Sequence, residues 1–325
     1  MQQLYQKIYT GSDLVSIYTG ILSPSAITSH VFTWNKPKGI RNVNILCVGG
    51  GGGGGSGGAG AAGTARSGGG GGGSGAVSKI TIQASLLPDI LYVQPGSGGI
   101  GALGVTNANG LAGVNGGVSY VAIAPDVATA QNTVVYAGGG NGGGLGGTVN
   151  STGGTAGTIG SQALMPIGFA TGILHLLAGQ AGSADTTGAA GGAVTPFTAG
   201  PGICTGGSAG GGTTAVNGQA AGGAISTAGV WPTISGGTTV GNPGENGINY
   251  GLHLNANSLD YLTSRYPLMS TGGTGGGGNG NGNGGRGACG GFGSGGGGGG
   301  ASNGGFTGGE GGNGGPGLIV ITCTY

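Results

Sequence analysis

The sequence predicts a mainly β protein: an antiparallel β-sandwich-like body whose long glycine-rich loops pack as a polyglycine II helix layer, with little or no α-helix. Three observations carry this prediction. Segments of strand length, rich in Val, Ile and Tyr, recur along the chain. Glycine runs separate them, and 95 of the 325 residues are glycine, where ~7% is usual. Charged residues make up 5% of the chain against a typical ~25%, too few for an ordinary globular surface.

In chain order, the strand-like segments are LVSIYTGIL (14–22), HVFTW (30–34), VNILCV (43–48), AVSKITIQ (76–83), ILYVQ (90–94), VSYVAIA (118–124), TVVYAG (133–138) and LIVITCTY (318–325). Lys36, Lys38 and Arg41 form a local basic cluster, but NKPKG reads as a solvated turn between strands. One stretch differs. In NANSLDYLTSRYP (255–267), Asn257 stands as an N-cap, Leu259, Leu262 and Tyr266 recur at helical spacing, and Pro267 stops the pattern. A two-turn helix is expected there.

The run Gly49–Gly55 follows the strand at 43–48, which is also how a dinucleotide-binding unit opens. That unit needs a helix directly after the glycines and an acid ~20 residues on. Residues 49–74 carry no helical pattern, and the first acid after Asp13 is Asp89. A Walker loop is excluded because no G-K-[ST] follows any glycine run. Strict G-X-Y is absent, which excludes collagen.

A flexible linker is the bland reading of such tracts. The other is a bundle. Glycine chains extended at three residues per turn make no internal hydrogen bonds and point N–H and C=O outward. Without Cβ atoms they can approach and bond neighbours in several directions. Ordering costs about 1–2 kcal/mol per residue, so many tracts must pack together, and the chain has many. Seven glycines would span ~22 Å. Gly49, Gly52, Gly55, Gly68, Gly73, Gly275, Gly295 and Gly300 mark the tracts expected in this layer.

Eight basic and seven acidic residues nearly cancel, leaving no electrostatic footprint for nucleic acid or an anionic membrane. The longest mostly apolar stretch, 167–179, is shorter than the ~20 residues a membrane span needs. The first residues, MQQLYQKIYTGSDL, lack the regions of a signal peptide, so an unprocessed N-terminus is expected. Cys47, Cys204, Cys289 and Cys323 are widely separated, without C-x-x-C or zinc spacing. They read as reduced small hydrophobes.

His30, His175 and His253 lie far apart, and no nucleophile elbow, H-E-x-x-H or paired-carboxylate motif occurs. No enzyme, cofactor or metal site is expected. Binding is the better prospect, because adhesive loops on a rigid scaffold use aromatic anchors among small polar residues. Phe169, His175, Trp231, Tyr250 and His253 in the irregular stretches are the candidate receptor-binding residues. Tyr261 and Tyr266 on the expected helix read as core.

TWNKPKGI, VNILCVGGGGGGGSGG, SGAVSKITI, LYVQPGSGG and GGEGGNGGPGLIVITCTY resemble the glycine-rich domain of phage and large-virus virion proteins, over residues 30–125 and 270–325. The glycine tracts are also similar in design to the tail-fibre tip adhesins of T-even phages, where polyglycine II helices form a sandwich and loops at its end contact the host receptor. More regular β-strands here favour a β-sandwich whose loops assemble into the glycine layer. The resemblance implies a virion structural protein, a tail-fibre or tip component contacting the host. A purely architectural capsid or tail decoration is the alternative. An ice-binding protein is a third reading, against which the Val/Ile strands argue. Residues 1–40 are expected to attach to other virion proteins and 41–325 to form the glycine-rich domain; homo-oligomerisation fits the same picture.

Overall fold

The computed structural model describes residues 6–10, 13–20, 31–125, 132–155, 157, 175–177, 181–195, 204–226, 233–244, 249–250 and 269–324. The strands are β1 (Gln6–Thr10), β2 (Asp13–Thr19), β3 (Phe32–Asn35), β4 (Asn42–Val48), β5 (Val77–Gln83), β6 (Ile90–Gln94), β7 (Ser119–Ala122), β8 (Thr133–Ala137), β9 (His175–Leu177), β10 (Asn249–Tyr250), β11 (Met269–Ser270) and β12 (Leu318–Thr324). A single 3₁₀ turn, Ala84–Leu86, is the only helical element among the described residues. The helix expected at 255–267 lies outside them.

Two antiparallel sheets form the body, ordered β1-β2-β12-β4-β5-β9 and β3-β6-β7-β8, with β10-β11 as a separate pair. β4 shows why these residues choose strands. Val43, Ile45 and Cys47 are buried while Asn42, Asn44 and Leu46 are half-exposed, the period of two that turns one face inward. Ile45, Ile80, Ile82, Ile319 and Ile321 of the first sheet meet Trp34, Leu91, Val93, Val121 and Val135 of the second in one buried cluster. Each such large side chain contributes roughly 1.5–3 kcal/mol by leaving water. The boundary expected at residue 40 coincides with no break in the sheets, since β2 lies between β1 and β12 and β3 pairs with β6.

The strands leave the sandwich at one end and continue as glycine segments without losing register. In the β4–β5 hairpin Val48 pairs with Val77; beyond it Gly49, Gly52, Gly55 and Gly58 donate to the carbonyls of Ala76, Gly73, Gly70 and Ser67. The β4–β12 pairing continues likewise, with Gly51, Gly54 and Gly57 donating to Gly315, Gly312 and Gly309. Gly50, Gly53, Ser56 and Ala59 use the third direction and donate to Gly117, Val114, Leu111 and Ala108. Every third amide therefore serves the same neighbour, as the three-residue turn of polyglycine II requires.

That third direction explains the glycine. In the sandwich, β4 and β7 belong to different sheets, which a side-chain layer ~10 Å thick normally separates. In the glycine segments the side-chain layer is gone, and the extensions of β4 and β7 hydrogen-bond directly. Carbonyls complete the shell: Gly51 and Gly54 accept from Gly99 and Ala102, Gly50, Gly53 and Ser56 from Gly140, Gly143 and Gly146, and Gly52, Gly55 and Gly58 from Gly296, Gly299 and Ser302. Segment 49–59, about 30 Å long at this rise, thus has six neighbours. Segments 67–76 and 293–302 are bonded to it and to each other, forming the centre of the bundle.

A Cβ on Gly49, Gly52, Gly55, Gly68, Gly73, Gly275, Gly295 or Gly300 would lie closer than 3.0 Å to a neighbouring backbone carbonyl oxygen, of Gly138, Asn141, Gly144, Gly210, Thr155, Ala209, Gly72 and Gly277 respectively. Where small side chains do occur they join the network. Ser67 Oγ donates to Val149 O and accepts from Gly147 N–H, and Ser208 Oγ donates to Gly223 O and accepts from Gly275 N–H. Buried polar groups are thereby matched rather than left at ~1–3 kcal/mol each.

No disulfide joins the four cysteines, and Cys47, Cys204 and Cys323 are buried while Cys289 is exposed. Burial raises the Cys47 thiol far above its ordinary range and pushes Cys204 up to about 12. Thiolate is the reactive form. In the native protein an alkylating reagent is therefore expected to label Cys289 and to reach the other three only after unfolding; mass spectrometry of the labelled peptides checks this.

Candidate functional site

The glycine segments must turn back at the end of the bundle remote from the sandwich. The turns fall at residues 60–66, 103–107, 148–150, 186–190, 214–218, 238–242, 280–283 and 303–307. Six of these reversals contain backbones with positive φ, at Gly63, Asn107, Gly188, Asn217, Val240 with Gly241, and Gly304 with Gly305. Glycine and asparagine adopt that region readily. Val240 does not, since a β-branched residue at φ 75° is strained by roughly 1–2 kcal/mol. Asn279 Nδ2 donates to Val240 O at 3.3 Å and to Asn283 O at 3.2 Å, tying this tip to its neighbour.

Other bonds connect the loops into one face. Thr106 Oγ1 and Thr307 Oγ1 are 2.9 Å apart. Asn303 accepts from Thr213 Oγ1 at 3.1 Å and donates to Thr214 O at 3.2 Å. Gly188 N–H donates to Arg66 O, and Thr187 N–H to Asn150 Oδ1 at 3.0 Å.

Leu103, Val149, Val216, Val240 and Phe306 stand out from this face, from 42% exposed at Phe306 to 87% at Val216. Around them lie Thr, Asn, Ala and Gly. Arg66 is the one charged residue in these loops, and its Nε and Nη1 donate to Ala59 O and Ala65 O. The described ion pairs are elsewhere: Lys36–Asp89 at 3.1 Å, near the NKPKG turn with Gly39 at φ 83°, and Arg286–Glu310 at 2.9 Å. Chemically the face offers apolar contact and neutral hydrogen bonding. No group of three or more His, Cys, Asp or Glu among the described residues could hold a metal ion.

Of the residues singled out for receptor binding, Phe169, Trp231 and His253 lie outside the described residues. His175 lies in β9, paired with Lys79 at the edge of the six-stranded sheet, and Tyr250 in β10, paired with Met269. These two therefore belong to different sheets. Sequence reasoning missed the tip residues because it looked for aromatics in irregular stretches. The available signal was a single large apolar residue beside a turn-forming Asn or Gly between glycine tracts, as in TAVNG (214–218) and NGGFT (303–307).

Residues 27–172 match the family model of a glycine-rich domain. The matched span runs from before β3 through β8 and includes the first glycine segments. No curated protein matches the chain.

Proposed function

We propose that the protein is a structural component of a virion, a tail-fibre or tip protein whose loop face contacts the host surface. The observation that supports this most is the division of the molecule: a sandwich at one end, and at the other a nearly uncharged face of short loops held by a hydrogen-bonded glycine bundle. Function commonly resides on loops positioned by a rigid scaffold, and exposed apolar side chains among small polar ones suit a recognition surface. The viral setting rests on the resemblance of sequence motifs such as VNILCVGGGGGGGSGG and GGEGGNGGPGLIVITCTY to those of glycine-rich virion proteins; the matched family model itself is of a glycine-rich domain. In this reading residues 1–40 join the chain to other virion proteins, and the particle is where it acts.

Adhesion of purified protein to host cells, and its ability to block infection, test the reading. Val216→Asp combined with Phe306→Asp is expected to abolish both while leaving the melting temperature unchanged, since both side chains are exposed. Because the face carries almost no charge, adhesion is expected to change less than twofold between low and high salt; charge-driven attachment would weaken steeply. Absent adhesion together with malformed particles when the gene is lost would favour the purely architectural role.

A further inference from the structure

Asp185 is the only charged side chain among the buried described residues, at 2% exposure. Its position follows from the register of the bundle. Gly71 N–H donates to Ser183 O at 3.0 Å, so three residues earlier Gly68 N–H should meet the carbonyl of residue 186. It meets Asp185 Oδ2 instead, at 2.6 Å. The carboxyl thus stands in for a lattice carbonyl. Asp185 Oδ1 is buried and makes no hydrogen bond.

The surroundings offer no counter-charge. Asp185 N–H donates to Ser151 Oγ at 2.9 Å and Ser151 N–H to Asp185 O at 3.0 Å. Thr187 N–H donates to Asn150 Oδ1, and Gly188 N–H to Arg66 O. On the segments around it (66–69, 150–152, 186–188, 191–194 and 209–212), Arg66 is the only ionisable side chain. Its Nε and Nη1 donate to the carbonyls of Ala59 and Ala65. A carboxylate buried with one bare oxygen and no cation is strongly disfavoured, whereas a neutral carboxylic acid is tolerated.

We infer that Asp185 is a neutral acid in the folded bundle, a pH-sensitive pin whose ionisation loosens the place where segments 66–69, 150–152 and 183–188 meet. Burial pushes its pKa from 3.8 to about 7, although the Gly68 amide on Oδ2 and the adjacent Thr186 amide, which makes no hydrogen bond of normal geometry to the carboxyl, favour the charged form. The sign follows by linkage. Below pH 3.8 the carboxyl is protonated whether folded or not. Between 3.8 and about 7 only the unfolded chain releases the proton, so stability falls as pH rises; above about 7 the loss is complete. Each pKa unit is a factor of ten, so the unfolding constant rises by up to on the order of a thousandfold.

The test is a carbon-13 NMR titration of the Asp185 carboxyl in the full chain, with thermal unfolding of wild type and Asp185→Asn from pH 4 to 9. The expected titration midpoint lies near 7. The difference between the two proteins is the readout, since it cancels every group they share: Asp185→Asn should gain melting temperature over wild type as pH rises, and the gain should level off above about 7. A midpoint near the ordinary aspartate value, or parallel pH profiles, would overturn the inference. If Asp185→Asn does not fold, the wild-type titration alone decides.

Discussion

Valine at Gly52 or at Gly297 is expected to prevent the chain from reaching its folded state. A Cβ at Gly52 would lie under 3.0 Å from the backbone of Asn141, and one at Gly297 equally close to that of Thr274. The obstacle is main chain fixed by its own hydrogen bonds, as Asn141 O is by Gly73 N–H and Thr274 O by Ala288 N–H, so nothing can swing away. Overpacking typically costs about 1–3 kcal/mol. Each backbone bond broken and left buried adds about 1–3 kcal/mol. Together these reach the whole stability of many domains, about 5–15 kcal/mol. Soluble expression and calorimetry read the result. Gly305→Asn is the control: a Cβ there meets nothing within 4 Å, and φ is +85°, a region asparagine tolerates. It is expected to fold with a nearly unchanged melting temperature. Full tolerance of valine at both bundle positions would contradict the packing described above.

The second large effect concerns the sandwich. Ile45 is fully buried, pairs with Ile80 and Ile321 on either side, and belongs to the main cluster. Ile45→Ala is expected to cost about 2–5 kcal/mol. Because the β4–β5 and β4–β12 registers continue unbroken into segment 49–59, the loss should appear equally in the glycine bundle. Denaturant unfolding followed by amide exchange in residues 43–48 and in 49–59 should give coincident transitions. Glycine amides that stay protected after the strands have opened would show two independent units instead.

How much of this was written in the sequence differs from element to element. The strands at 43–48, 76–83, 90–94, 133–138 and 318–325 were readable within a residue or so, because β-branched side chains alternate and glycine tracts end them abruptly. The glycine layer was readable as a category, since only a multidirectional backbone network could order runs such as Gly49–Gly55. Its partners were not. Glycine carries no side chain from which to read a neighbour: the register that joins Gly52 to Gly73 is inherited from the β4–β5 pairing below it, and the bond from Gly53 to Val114 links segments whose strands lie in different sheets. The short β1 and β9 lacked a long alternating run, and the two-residue β10 and β11 are too short for any pattern. The loop face was hidden for another reason: Leu103, Val149, Val216, Val240 and Phe306 are dispersed over 204 positions of chain and share a face only because each tops a separate glycine hairpin. Asp185 gave no local signal, because its role depends on a register set by residues 68–71.

The central claim is that the glycine tracts form a hydrogen-bonded lattice with three-residue periodicity. Through-hydrogen-bond NMR couplings on the isotopically labelled full chain test it most directly. Three consecutive amides, Gly52, Gly53 and Gly54, should couple to the carbonyl carbons of Gly73, Val114 and Gly312 respectively, with amide exchange as slow as that of β4. Absent couplings, together with exchange at the rate of an unfolded chain, would show the tracts to be flexible linkers and would contradict the lattice.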